Sequence, residues 1–124
     1  MNIDFQWHDV GNAGEFYSEK IRALRNVSGV YVIYDRVEQE ITYIGESHTG
    51  RLYKTMTRHF QRWKNDQTPY GYDRKKCNYV IERHDAMVDW IVIESILAIR
   101  WFETYLIERF QPEGNLQVTG TNSY

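Results

Sequence analysis

Two short runs of β-branched and aromatic residues lie close together in the first half of the chain. Residues 29–34 read Gly-Val-Tyr-Val-Ile-Tyr and residues 41–44 read Ile-Thr-Tyr-Ile, with a polar connector between them. Such runs favour strands, and a short polar connector favours antiparallel pairing. Gly29 begins the first run and Gly45 follows the second, where the absence of a Cβ lets another group approach closely. The sequence therefore predicts a β-hairpin supported by two glycines.

An amphipathic helix is predicted over Arg51–Lys64, a segment without Gly or Pro. Its apolar residues recur at helical spacing and form one stripe, namely Leu52, Met56, Phe60 and Trp63. The opposite stripe is mostly basic and contains Arg51, Thr55, Arg58 and Arg62, with His59 on the border between the two faces. Such a helix can pack its apolar side against a sheet and present cations outward.

The rest of the chain alternates between helix and strand patterns, without a repeat or a linker that would divide it. The predicted elements are a helix within residues 1–26 that begins near Asn12, a loop over residues 65–76, a third strand over Asn78–Arg83 and a buried helix over Ile96–Phe110. Residues 87–93 fit either an edge strand or an earlier helix. We therefore expect an α/β (α+β) fold in a single domain over residues 1–124.

Composition limits the class of protein. The chain has 124 residues, of which 42% are apolar and 26% charged, which excludes intrinsic disorder. A lone cysteine, Cys77, excludes an internal disulfide and a cysteine zinc cage, and it points to a reducing compartment. No segment resembles a signal peptide, and the longest apolar run is far shorter than a membrane span. We expect a soluble, cytoplasmic protein without a membrane partner.

The formal net charge of −2 is unevenly distributed. Residues 1–50 and 77–124 each carry a net charge of −4, whereas residues 51–76 carry +6. Affinity for a phosphate backbone comes mainly from Lys and Arg, so the average alone would argue against a nucleic-acid partner. The local excess leaves one basic segment that can meet a phosphate backbone.

Glu103 is the most informative single residue because it interrupts the apolar helix over Ile96–Phe110. An unpaired buried carboxylate is costly, so Glu103 requires a partner. One explanation is an ion pair with an arginine. The other is a divalent cation, because Mg²⁺ is commonly held by one or two carboxylates together with substrate phosphate.

Five features resemble the GIY-YIG nuclease superfamily in their order along the chain. They are Gly29-Val30-Tyr31, Tyr43-Ile44-Gly45, a helix with Arg58-His59-Phe60, Glu103 followed by Leu106-Ile107, and Pro112 with Asn115. The similarity spans residues 28–115 and leaves residues 1–27 as an N-terminal helical extension. Each tripeptide alone is weak, because tyrosines in strands are usually packing residues. The ordered set is more specific.

The resemblance implies a small three-stranded antiparallel sheet flanked by helices, and phosphodiester hydrolysis with one divalent ion, Mg²⁺ or Mn²⁺. It implies that Tyr31 activates the attacking water, that Tyr43 orients water or phosphate, and that His59 assists proton transfer. It further implies that Glu103 binds the metal and that Asn115 supports the site structurally. Because an unperturbed tyrosine has a pKa of about 10, Tyr31 would need help to act as a base.

One position departs from the family pattern. Many members carry an arginine four residues before the histidine, where this chain has Thr55. Arg51 and Arg58 lie on the same helical stripe, one turn before and one turn after, and a guanidinium reaches about one helical turn. We expect Arg51 to replace the missing cation, and Arg58 to contact phosphate or remain solvated.

The sequence thus favours a metal-dependent DNA endonuclease, with RNA or single strands also open as substrates. The expected substrate-binding residues are the cations of the basic segment, namely Arg58, Arg62, Lys64, Arg74, Lys75 and Lys76. The alternative is a nucleic-acid-binding or interaction module that kept the fold but lost the chemistry, which Thr55 favours. A monomer that nicks one strand and a homodimer that cuts both are equally compatible with the sequence.

Overall fold

The computed structural model describes residues 2–61 and 79–115. Four strands form one antiparallel sheet in the order β1-β4-β2-β3. They are β1 (His8–Asp9), β2 (Gly29–Asp35), β3 (Glu40–Ser47) and β4 (Ala86–Val92). The α-helices are α1 (Glu19–Arg22), α2 (Leu52–Thr57) and α3 (Ile96–Phe110), and short 3₁₀ turns cover Arg58–Phe60 and Arg83–Asp85. The described residues thus form a mixed α/β fold.

The predicted hairpin is confirmed, because β2 and β3 pair directly along their length. The register steps from Ile33 opposite Tyr43 to Tyr34 opposite Ile41, so Thr42 is the extra residue of a β-bulge. The predicted helix over Ile96–Phe110 is also confirmed as α3. Ser95 caps its first turn by accepting a hydrogen bond from the Ala98 N–H, and Gln111 ends it in a left-handed conformation.

The expected three-stranded sheet is wrong in its strand count and in its third strand. Residues 79–82 are not a strand, Arg83 begins a 3₁₀ turn, and Asn78 lies outside the described residues. The segment left open between strand and helix is β4, which lies between β1 and β2 rather than at an edge. The reason is that the expected strand finds other hydrogen-bond partners. The Ile81 N–H donates to the His59 carbonyl, and the buried Arg83 guanidinium donates to the Val10 and Glu15 carbonyls.

Two predicted helices are shorter than expected. The N-terminal helix α1 starts at Glu19, and the hydroxyl of its N-cap, Ser18, accepts a hydrogen bond from the Ile21 N–H. Asn12 does not start a helix, because it forms a turn closed by Glu15. Helix α2 ends at Thr57 and continues as the 3₁₀ turn over Arg58–Phe60, after which Gln61 is extended. Residues 62–64 of the predicted helix, like the predicted loop over 65–76, lie outside the described residues.

The two faces of the sheet carry separate apolar clusters. Tyr31 and Ile33 project to the face covered by α2, which we call the α2 face. Val30, Val32 and Ile44 project to the opposite face, which packs against α3 and is called the α3 face. This alternation follows from the two-residue period of a strand. Among the described residues, no helix has the length and apolar character needed to cross a membrane.

Candidate active site

The centre of the candidate site is a hydrogen bond between Tyr31 on β2 and His59 on the 3₁₀ turn after α2. The Tyr31 hydroxyl lies 2.6 Å from Nε2 of His59. Both residues are almost fully buried, with exposed fractions of 1% and 4%. The strand places Tyr31 on the α2 face, and the turn after α2 directs the imidazole onto it. The structure therefore brings together two of the predicted catalytic residues.

The second ring nitrogen of His59 determines which tautomer is present. Nδ1 lies 2.6 Å from the backbone carbonyl of Tyr79, and a carbonyl oxygen can only accept. Burial lowers the pKa of His59 to about 4, with a further lowering by the Arg58 charge, although the bond to Tyr79 opposes the shift. The imidazole is therefore neutral near pH 7, with its proton on Nδ1. Its Nε2 lone pair accepts the hydrogen bond from Tyr31.

Tyr43 completes an aromatic cluster around this pair. Its ring centroid lies 4.5 Å from that of His59 and 6.3 Å from that of Tyr31. Unlike Tyr31, Tyr43 is only partly buried. Tyr79 stacks on Tyr43 with a centroid distance of 5.5 Å and an interplanar angle of 2°. Sequence reasoning missed Tyr79, because residues 78–83 gave only a strand pattern.

Gly45 lies where the ring of Tyr31 needs space. Tyr31 and Gly45 are paired across β2 and β3, and a Cβ built on Gly45 would stand 2.4 Å from the Tyr31 hydroxyl. Gly29 has a different constraint, because a Cβ there would stand 2.0 Å from the carbonyl oxygen of Ile91 on β4. Any larger residue at Gly45 would displace Tyr31 from His59, whereas one at Gly29 would separate β2 from β4.

Glu103 lies with α3 on the other face of the sheet from Tyr31 and His59. Its partly buried carboxyl is near Glu46, which projects from β3 to the α3 face. Burial raises the pKa of Glu103 to about 7, and the Glu46 charge adds to that rise against the effect of Arg100. Glu46 is also bonded to Nδ1 of His48 at 3.1 Å. Within residues 2–61 and 79–115, no arginine forms a salt bridge with Glu103, and Arg100 acts on it only through its charge.

The two halves of the site are adjacent along one strand. The Tyr31 hydroxyl lies over Gly45 on the α2 face, and the next residue, Glu46, faces Glu103 on the α3 face. Strand β3 stands at the end of the strand order, so residues 45–46 lie at an edge of the sheet. The predicted catalytic residues are thus arranged around residues 45–46 rather than on one surface.

The donor set fits a divalent ion held by few protein ligands. Within residues 2–61 and 79–115, no three His, Cys, Asp or Glu side chains converge as a metal cage. Glu103 and Glu46 nevertheless form a pair of like charges, and their repulsion would be relieved by a cation between them. Mg²⁺ and Mn²⁺ commonly use one or two carboxylates and complete their shell with water and phosphate. Glu103, aided by Glu46, would hold such an ion.

The two candidate arginines, Arg51 and Arg58, stand before and after helix α2. Arg51 precedes α2, is exposed, and its N–H donates to the Ser47 hydroxyl at the end of β3. Arg58 is also exposed and is close enough to His59 for its charge to lower the histidine pKa. Thr55 is partly buried between them. Five predicted substrate-binding residues lie outside the described part of the chain, namely Arg62, Lys64, Arg74, Lys75 and Lys76.

Asn115 closes the outer edge of β3. Its Oδ1 accepts from the Ile44 N–H at 2.7 Å, and its Nδ2 donates to the Ile44 carbonyl at 2.8 Å. The side chain thereby replaces one residue of a neighbouring strand. Asn115 is buried, so neither group of Ile44 could turn to water instead. This contact fixes the strand that carries Tyr43, Gly45 and Glu46.

Replacing Asn115 with aspartate is expected to lower the free energy of unfolding by about 3 kcal/mol, because a carboxylate oxygen would then face the Ile44 carbonyl without a donor. Urea denaturation at neutral pH measures the change. The same substitution at the exposed Asn2 serves as the control and should alter stability by less than about 0.5 kcal/mol. A loss of under about 1 kcal/mol at Asn115 would show that this edge contact is not a main support of β3.

Comparison with protein-family models and with curated protein sequences found no match for this chain. The chemistry of the site must therefore be argued from the positions of its own residues.

Proposed function

We propose that this protein is a metal-dependent endonuclease that hydrolyses DNA phosphodiester bonds through a site of the GIY-YIG type. The observation that carries the proposal is the Tyr31–His59 hydrogen bond of 2.6 Å, with a neutral imidazole as acceptor. A hydroxyl whose proton already points at an unprotonated nitrogen is aligned for proton transfer. Any buried tyrosine hydroxyl needs a hydrogen-bond partner, and here that partner is an imidazole nitrogen that can also take up the proton.

The proton path follows from this arrangement. As water attacks phosphorus, its proton passes to the Tyr31 oxygen while the Tyr31 proton passes to Nε2 of His59. The new P–O bond forms as the bond to the leaving oxygen breaks, and the imidazolium returns its proton through Tyr31 to that oxygen. The products are a phosphomonoester and an alcohol. Because Tyr31 is buried, water reaches it past the partly exposed Tyr43, which gives Tyr43 its orienting role.

Glu103, aided by Glu46, would hold a divalent ion on the α3 face, and the ion would supply Lewis-acid stabilisation of the charge that develops on the phosphate oxygens. Deprotonation of Glu103 is needed for binding, and its pKa near 7 places that step close to physiological pH.

DNA is the proposed partner because residues 51–76 form a basic segment. Two of its arginines, Arg51 and Arg58, stand at the two ends of helix α2, next to the candidate site. The net charge of −2 predicts weak binding that falls steeply with added salt. RNA and single strands have the same phosphate chemistry and belong in the test as substrates. A cytoplasmic location is proposed because the lone cysteine, Cys77, points to a reducing compartment.

The second candidate function is a non-catalytic nucleic-acid-binding module, and one observation favours it. Tyr31 is only 1% exposed, so in this state its hydroxyl has no open path to a phosphate. Thr55 in place of the family arginine points the same way. A binding module would retain affinity for DNA but would leave every phosphodiester bond intact.

Incubation with supercoiled plasmid separates the two candidates. The endonuclease converts plasmid to nicked or linear forms in Mg²⁺ or Mn²⁺ and is silent in EDTA. Synthetic DNA duplexes, single strands and RNA of one sequence define the substrate class. Intact plasmid and oligonucleotides in every metal, together with a salt-sensitive shift in a gel, would support the binding module and contradict the endonuclease.

The two arginines near the site are expected to differ in importance. Arg51→Ala should lower the cleavage rate about 100-fold, because Arg51 lies beside the end of β3, where the two halves of the site meet. Arg58→Ala should mainly raise KM, by about tenfold, through a lost phosphate contact. Steady-state kinetics on one duplex measures both effects, and Arg25→Ala, an exposed arginine that lies over the Tyr53 ring, is the control. The reverse order of effects would transfer the charge-stabilising role to Arg58.

A further inference from the structure

Tyr79 contacts Tyr43 and His59 of the candidate site and belongs to none of the sequence motifs that predicted the site. We propose that Tyr79 is a positioning residue, whose backbone carbonyl selects the His59 tautomer and whose anchored ring keeps that carbonyl and Tyr43 in place. Its effect on catalysis rests on the proposed endonuclease function. Its effect on the His59 imidazole does not, and can be measured separately.

The backbone of residues 79–81 holds His59 through two hydrogen bonds in opposite directions. Nδ1–H of His59 donates to the Tyr79 carbonyl at 2.6 Å, and the Ile81 N–H donates to the His59 carbonyl at 3.0 Å. The first bond fixes the ring and the second fixes its backbone. The orientation of the imidazole therefore depends on where residues 79–81 lie.

The side chain of Tyr79 anchors that segment to β3. Its hydroxyl donates to Oγ1 of Thr42 at 2.6 Å, and its ring lies parallel to Tyr43. Thr42 is the extra residue of the β-bulge, so no residue of β2 stands opposite it in the ladder. Gly114 is also close to the ring, because a Cβ there would stand 2.7 Å from Cδ1 of Tyr79. The side chain of Tyr79 is thus held by contacts with Thr42, Tyr43 and Gly114.

Loss of this anchor changes the chemistry available to Tyr31. A neutral imidazole carries one proton, and only the Nδ1–H form leaves Nε2 free to accept. If the Tyr79 carbonyl moves away, the Nε2–H form is no longer disfavoured, and in that form Nε2 cannot accept the Tyr31 proton. The position of Tyr79 therefore determines the fraction of molecules in which Nε2 of His59 can accept the Tyr31 proton.

Nitrogen-15 NMR of the full chain with labelled histidine tests the proposal directly. In the wild type, His59 should show a protonated Nδ1 and an unprotonated Nε2 at neutral pH. Tyr79→Ala should give a mixture of both tautomers. Tyr79→Phe and Thr42→Val keep the stacked ring but break the anchor, and should lower kcat about tenfold with KM unchanged. Val37→Ala, at an exposed residue of the turn between β2 and β3, should leave the tautomer and kcat at wild-type values.

The outcomes test the positioning role of Tyr79 separately from the proposed endonuclease function. A folded Tyr79→Ala protein that retains only the Nδ1–H form would overturn the positioning role. Cleavage at the wild-type rate by Tyr79→Phe and Thr42→Val would also overturn it, while leaving the endonuclease intact. Mixed tautomers in Tyr79→Ala, in a protein whose wild type cleaves no nucleic acid, would support positioning and contradict the endonuclease.

Discussion

Replacing Glu103 with glutamine is expected to reduce metal-dependent cleavage about 1,000-fold, because the proposed Lewis acid would lose its charged ligand. Glutamine has nearly the same shape, so the packing of α3 should change little. Glu103 is partly buried and close to Glu46, which accounts for its pKa of about 7. The substitution removes that repulsion, so Glu103→Gln should be at least as stable as the wild type at pH 7 while losing activity.

Calorimetric titration with Mg²⁺ and Mn²⁺ distinguishes a lost ligand from a lost fold. The wild type should bind one ion and release up to one proton below pH 7, and Glu103→Gln should do neither. Glu108→Gln, on the exposed side of the same helix, is the matched control for both binding and cleavage. Cleavage by Glu103→Gln at the wild-type rate would remove Glu103 from the mechanism.

The second large effect is expected at His59. His59→Gln should lower the cleavage rate by about 100-fold to 10,000-fold, because Tyr31 would lose the base that accepts its proton. His84→Gln is the matched control, since His84 is exposed on the 3₁₀ turn over Arg83–Asp85. Single-turnover kinetics at saturating metal measures the chemical step without product release. A rate within about threefold of the wild type would contradict the proton path.

His59 also predicts how stability depends on pH. Its folded-state pKa of about 4 lies below the ordinary value of 6.5, so between these pH values the unfolded chain binds more protons. The contribution of His59 is therefore fully present above pH 6.5 and is lost as pH falls to about 4, a change of about 3 kcal/mol. The groups around the imidazole are Tyr31, Tyr43, Tyr79 and Arg58.

The ionisation of Glu103 changes stability with pH in the opposite direction. Its raised pKa means that the folded state binds more protons between pH 4.5 and about 7, so its contribution is present below this window and lost as pH rises through it. Urea denaturation across pH 4–7 should show the steepest rise with pH in Glu103→Gln and a fall with pH in His59→Gln. Parallel stability curves for these two variants would contradict both assignments.

Much of the sheet could be predicted because its signals are local. The hairpin from β2 to β3 follows from alternating β-branched and aromatic residues, and α3 follows from apolar spacing closed by Pro112. Strand β4 was ambiguous because a short apolar run does not distinguish strand from helix. Residues 79–82 also have a strand composition, but the Tyr79 carbonyl and the Ile81 N–H form hydrogen bonds with His59.

Three of the candidate residues could be grouped from the sequence, but their arrangement could not. The family resemblance placed Tyr31, Tyr43 and His59 in one hypothesis, and the structure gathers these three on the α2 face. The tautomer of His59 depends on a backbone carbonyl, which no residue type encodes. Likewise, no local pattern separates Glu103 from the tyrosines, because the face on which a helix packs is set by distant contacts.

The central claim is that the Tyr31–His59 pair and Glu103, on opposite faces of one sheet, serve a single reaction. Single-turnover cleavage by Tyr31→Phe, Glu103→Gln and the double variant tests it most directly. Groups that act as a unit are strongly non-additive, so the double variant should be no slower than the slower single variant by more than about threefold. Rate losses that simply multiply, or no cleavage by the wild type, would contradict a single active site formed across β3.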